Sequence, residues 1–273
     1  MRDFLIKLFR ETEVVLEIKL FSIWHFMYIF LIVGLTIGLA FLLKNKSENA
    51  KDFTLKLLAY LIPAIYIADF FIMPLSRESG EIDLDKLPFH ICTLMGCFVP
   101  FAQFNKKFKP IKHVIVVLSL VASLMYITYP GSALGGISTF SYKVVQTFVF
   151  HGMLFSWGFL NLAWGRVKLT WKNIWMELVA LCIIALWATF GNATFSSEQH
   201  SFDWFFITGS TFPFVPTPLM PFTVIAAIFG MCAIIYGIYF GTIKVMEKIA
   251  LKRGVVVATE VEKSEQNTTT EEK

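Results

Sequence analysis

An all-α bundle of about seven membrane-crossing helices is the fold the sequence predicts, on three observations. Hydrophobic residues make up 56% of the 273 and charged residues only 16%, against about 25% charged in an ordinary soluble domain. Mean hydropathy is +0.65. Apolar runs long enough to cross hydrocarbon, about 20 residues each, recur along the chain. This composition excludes a soluble globular enzyme and a disordered chain. The small net charge of +4 excludes a nucleic-acid partner. The 29 Phe and 7 Trp suit lipid-facing and interfacial positions.

Residues 1–20 precede the first apolar run. Phe4, Leu5, Leu8, Phe9, Thr12, Val15 and Leu16 fall on one side at helical spacing, and Asp3, Lys7, Arg10, Glu11, Glu13 and Glu17 fall mostly on the other. That pattern reads as an amphipathic helix, lying in the interface or packed on the bundle's rim. No small-residue cleavage site follows, so a removable signal is not expected. Spans are expected at about 21–43, 54–73, 87–104, 112–130, 144–164, 173–191 and 219–243, within a transmembrane domain of residues 21–246. The third is the least apolar, with His90, Pro100 and Gln103. Between the sixth and seventh, about residues 192–218, Phe202, Trp204, Phe205, Phe206, Phe212 and Phe214 make the loop too apolar for a linker. It reads as a lid over one face of the bundle, stiffened by Pro213, Pro216 and Pro218. Residues 247–273 turn polar and Glu- and Thr-rich from Thr259, and are expected to be a largely disordered tail.

Basic residues set the orientation. They gather in the first loop (Lys44, Lys46, Lys51, Lys56), the third (Lys106, Lys107, Lys109, Lys112), the fifth (Arg166, Lys168, Lys172) and the start of the tail. The second loop has Arg77 and Lys86, the fourth Lys143 alone. The N-terminus is therefore expected outside and the C-terminus in the cytoplasm.

Ionisable groups within spans are costly and are functional candidates by default. With this topology, His25 falls near the outer start of the first span and Asp69 near the outer end of the second. His90 and Cys92 open the third, His151 lies about two turns into the fifth, and Asn192 closes the sixth. All six sit within roughly 10 Å of one boundary at 1.5 Å per residue. The opposite half offers Asn161 and Gln103.

A thiol is a poor nucleophile until deprotonated, and a nearby imidazole can take that proton while a third polar group orients the ring. Cys92 and His151 are at compatible depths for this. His90 cannot share a helix face with Cys92, because two residues turn a helix by about 200°; it is expected to face the first or second span, near His25 or Asp69. A phospholipid ester lies at this depth, so such a nucleophile would meet lipid esters. The same residues also suit a proton relay in a transporter, a lipid-binding sensor or, with no spacing signature to support it, a metal site. The four Cys show no CxxC pair or disulfide framework, and neither a metal nor another cofactor is expected.

At these residues the chain resembles the YwaF-like integral membrane family, bacterial relatives of the transmembrane protein 164 acyltransferases. The resemblance rests on Leu20-Phe21-Ser22-Ile23-Trp24-His25, on Leu87-Pro88-Phe89-His90-Ile91-Cys92 and on His151-Gly152, and it covers nearly the whole chain. It implies acyl transfer from a phospholipid to a lysophospholipid without acyl-coenzyme A, in a multi-pass protein of a bacterial plasma membrane. Cys92 would correspond to the acyl-accepting nucleophile and His151 to its base. His25, Asp69 and His90 would orient site and substrate, and Asn192 would bind an oxyanion. One departure is that bacterial members tend to carry Asn-Tyr-Met-Phe where this chain reads Asn192-Ala193-Thr194-Phe195.

Overall fold

The computed structural model describes residues 14, 16–76, 82–134, 136–197, 201–208 and 215–252. Among these residues the protein is all-helical, with seven α-helices and no strand. They are α1 (Ile23–Leu43), α2 (Glu48–Ser76), α3 (Ile91–Phe104), α4 (Lys112–Thr128), α5 (Tyr142–Ala163), α6 (Ile174–Phe195) and α7 (Met220–Lys252). Each coincides with one of the predicted apolar runs, although α2 and α7 extend beyond theirs. Five helices, α1, α2, α4, α6 and α7, are long and apolar enough to cross a membrane. The chain divides into two compact units, Met1–Cys232 and Ala233–Lys273. The first holds α1 to α6 and the opening of α7; the second continues α7 to Lys252.

The helices sort into a core and a periphery. α4 is enclosed almost along its whole length, from His113 to Ser123, and it packs on α5, which also meets α1 and α2. Small residues on α5 allow this. A Cβ at Gly158 would lie 2.8 Å from Leu120 of α4, and one at Gly152 would lie 2.9 Å from Ile32 of α1. Between apolar helices in lipid, close packing and interhelical hydrogen bonds supply the association. The Thr36–Ser156 hydroxyl pair, 2.6 Å apart, adds one such bond between α1 and α5. On α2 the buried residues Leu55, Ala59, Ile62, Tyr66 and Asp69 recur at three- and four-residue spacing, a single stripe turned inward. Phe30, Leu35 and Phe41 of α1, and Val179, Ile183 and Leu186 of α6, are exposed, as apolar side chains facing lipid would be.

The described residues just before α1 are not helical. Most of residues 3–19 lie outside the described residues, but the described end is extended. Glu17 bridges Ser138, the Ile18 amide donates to the Ile137 carbonyl at 3.3 Å, and Ile18 is fully buried. Burial of Ile18 against the loop before α5 overrides the helical spacing there. The tail after Lys252 and residues 209–214 of the sixth loop, including Phe212, Pro213 and Phe214, also lie outside the described residues.

Candidate functional site

The alternation of helices brings the start of α1, the end of α2, the start of α3, the end of α4, the first turns of α5 and the end of α6 to one end of the bundle. His25 ties two of these together. Its Nε2–H donates to the Ile127 carbonyl at 2.8 Å, and its Nδ1 accepts from the Phe21 amide at 3.1 Å. Both ring nitrogens are occupied and the residue is fully buried, so His25 anchors α1 to α4.

His151 is held differently. Its ring is buried, stacked on Tyr126 with centroids 3.9 Å apart and met edge-on by Phe150 at 5.2 Å. Nδ1 lies 2.8 Å from the Thr147 carbonyl one turn back on α5. A carbonyl only accepts, so Nδ1 carries the proton and Nε2 presents its lone pair. Nε2 is buried without a hydrogen-bond partner. An unmet acceptor in an apolar interior costs about 1–3 kcal/mol, which marks it as a position with an unfilled task.

Cys92 occupies the first turn of α3. The N-cap position is His90, whose side chain does not cap, so the first amides of the helix keep their donor capacity. The amides of Cys92 itself and of Thr93 approach the sulfur. Cys92 is partly buried. Lys86 acts electrostatically on Cys92 and His151, and Cys92 in turn on Tyr126, the ring stacked on His151. Four residues on, a Cβ at Gly96 would lie 2.8 Å from Phe150, so this face of α3 is set against the neighbour of His151. No hydrogen bond joins the thiol to Nε2.

Asp69 is 1% exposed and 3.0 Å from the Lys86 ammonium, which is 19% exposed. The Tyr66 hydroxyl donates to the Lys86 carbonyl, fixing the turn before α3 to α2. His90 does not face the first or second span as its spacing suggested. Its Nδ1 accepts from the Phe205 amide at 3.4 Å, and its ring lies 5.6 Å from Phe206. Because His90 precedes the first helical turn, in extended backbone, the 200° helical argument does not govern it.

Phe205 and Phe206 belong to a strap, residues 201–208, laid across the approach to α3. Asn192 holds it: Oδ1 accepts from the Trp204 amide at 2.8 Å and Nδ2 donates to the Trp204 carbonyl at 3.2 Å. Both ends of the amide are thus engaged by the strap, a positioning role in place of the expected oxyanion contact. The Trp204 indole donates to the Asp85 carbonyl and packs on Phe89 and Phe202 at 4.7 and 4.4 Å. Phe205 and Phe206 adopt φ of 66° and 56°, a left-handed backbone that costs roughly 1–2 kcal/mol per residue. Such strain persists where surrounding contacts over-determine it.

At the opposite end, where the sequence places Asn161 and Gln103, the structure adds a buried pair that spacing arguments miss. His113 of α4 and Glu177 of α6 are 6% and 0% exposed, with Nε2 and Oε1 4.0 Å apart. Fully buried Asn161 donates to the Trp157 carbonyl, and Gln103 accepts from the Trp157 indole and from Lys112. The Asp69–Lys86 pair is the partner choice their positions in the sequence suggest, whereas Tyr126 and Thr147 are contributors that sequence reasoning passed over. Glu177 was detectable as the one glutamate inside a predicted span. Among the described residues no three His, Cys, Asp or Glu side chains converge to hold a metal ion. A cavity of about 350 Å³ is lined by α6 and the strap, including Thr189, Asn192 and Ser196, apart from Cys92 and His151.

Long apolar helices around a polar interior define a multi-pass membrane protein. The chain belongs to the TMEM164 family, whose profile matches residues 20–239. No curated protein matches it, and no solved structure does.

Proposed function

We propose that the protein is a lipid acyltransferase in which Cys92 is the nucleophile and His151 its base. The observation that carries this reading is the His151 ring, held at Nδ1 with Nε2 buried and unpartnered, at the same bundle end as Cys92, partly buried on a helix start that His90 does not cap. The resemblance to YwaF-like proteins and the transmembrane protein 164 acyltransferases supports it. Seven spans, an external N-terminus and a bacterial plasma membrane complete the reading, on the evidence of the loop charges. The site would then open to the outer leaflet.

In this mechanism Nε2 takes the thiol proton as the sulfur attacks the carbonyl carbon of a phospholipid ester. The oxyanion draws on the first amides of α3. Collapse breaks the ester C–O bond, His151 returns the proton to the leaving alkoxide, and a lysophospholipid departs with the acyl group on Cys92 as a thioester. A second lysophospholipid hydroxyl, deprotonated by the same Nε2, attacks the thioester and regenerates the thiol; water in its place gives hydrolysis. The thiol–imidazole contact forms as lipid enters, since such bonds tighten in the reacting complex. The test is incubation of purified protein with acyl-labelled phospholipid, followed by hydroxylamine. A hydroxylamine-sensitive label that Cys92→Ala abolishes is expected, and equal labelling of that variant rejects the mechanism.

The alternative is a transporter or lipid sensor built on the same groups. The His113–Glu177 pair favours it to the extent that polar groups occupy both ends of the bundle.

A further inference from the structure

Asp69 and Lys86 form a pair with unequal access. The carboxylate is 1% exposed while the lysine side chain is 19% exposed, so what reaches the outside is the cation. The ammonium has three donors, of which the pair occupies one. It stands on the turn that leads into α3, pinned through its own carbonyl by Tyr66, and its charge reaches Cys92, His90 and His151. Nearby acids are engaged elsewhere. Asp83 caps the turn by accepting from the Asp85 amide, and Asp203 accepts from the Thr208 amide and hydroxyl.

We infer that Lys86 is the headgroup reader of the site, binding the phosphodiester of the donor lipid so that its ester falls beside Cys92. The inference rests on the reading of this bundle end as a phospholipid-ester site and names the residue that recognises the phosphate of that lipid. In a glycerophospholipid the phosphate and the ester carbonyls are separated by only a few bonds. Lys86 on the turn before α3 and Cys92 in the first turn of α3 stand in that same order along the chain. Asp69 parks the ammonium when lipid is absent, keeping it aimed at the site. Charge-assisted hydrogen bonds to phosphate are among the stronger polar contacts available.

The experiment is competitive retention of phosphatidylglycerol and a diacylglycerol with identical acyl chains on the full-length protein in detergent, read by native mass spectrometry. Wild type is expected to prefer the phospholipid by about tenfold, Lys86→Arg to keep that preference, and Lys86→Met to lose it with diacylglycerol retention unchanged. The double variant Asp69→Asn/Lys86→Met removes both charges and covers the case in which an unpaired Asp69 unfolds the single variant. An undiminished preference in both Met variants overturns the inference, as does displacement of phosphatidylglycerol by inorganic phosphate at equal concentration, which would make this a site for the free anion. Retention requires no chemistry at Cys92. If no acyl label ever forms but the preference depends on Lys86, acyl transfer falls and the headgroup site stands. If the label forms and the preference is independent of Lys86, the headgroup site falls and acyl transfer stands.

Discussion

The two ends of the bundle carry histidines in opposite circumstances. At one end, which also holds Cys92, His151 has one ring nitrogen held and the other unpartnered. At the other, His113 sits 4.0 Å from the Glu177 carboxylate, and both are enclosed by α4, α6 and their surroundings. Burial is similar in the two places, and Nε2 lacks a hydrogen-bond partner in both; what differs is the neighbour, a thiol-bearing helix start at one end and a carboxyl group at the other. A polar group in a membrane bundle is therefore informative less by its presence than by the chemistry of the group beside it.

The comparison is broken or sharpened by substitution at each end. His151→Gln is expected to slow acylation of Cys92 by about 10²–10⁴-fold, the range of general-base contributions, with the melting temperature held near that of wild type; labelling at the wild-type rate removes His151 from the mechanism. Glu177→Ala should do the converse. Removing the buried carboxyl leaves its polar neighbours unmet at a cost of about 1–3 kcal/mol, so thermal unfolding shifts down while labelling at low temperature is retained. If Glu177→Ala abolishes labelling in folded protein, the two ends act as one system and the transport reading gains. The smallest effect is expected from Asn192→Asp, which turns the donor facing the Trp204 carbonyl into an acceptor at a cost of about 1–3 kcal/mol. Hydrogen exchange at the Trp204 amide should accelerate while global unfolding moves little.

Most of the helical frame is legible in the sequence because apolar runs must be about one membrane thickness long. The common depth of His25, Asp69, His90, Cys92, His151 and Asn192 is legible too, since alternating helices make position along the chain a measure of height. Direction around each helix is less so. His90 turns to the strap instead of to α1 or α2, because it lies just before the first helical turn. Asn192 faces Trp204 on a later segment that no periodicity connects to it. Ile18 pairs with the loop before α5, where tertiary burial outweighs local spacing. Glu177 and His113 lie so near the ends of predicted spans that a depth rule applied to one boundary passes them by.

The composition of α5 bears on how the protein is made. Gln146, Thr147, His151 and Asn161 are all buried, and α5 is absent from the five helices apolar enough to cross a membrane on their own. Their bonds run within α5 itself, His151 to Thr147 and Asn161 to Trp157, but transfer into bare lipid would still set four polar side chains that the fold encloses against hydrocarbon, and each would weigh against insertion. During biogenesis α5 thus depends on helices made before it: α4 supplies the wall for Gly158, α1 supplies Ile32 and the Thr36 hydroxyl. The helix that carries His151 takes its place last among its neighbours α1, α2 and α4, as cargo of an already inserted scaffold.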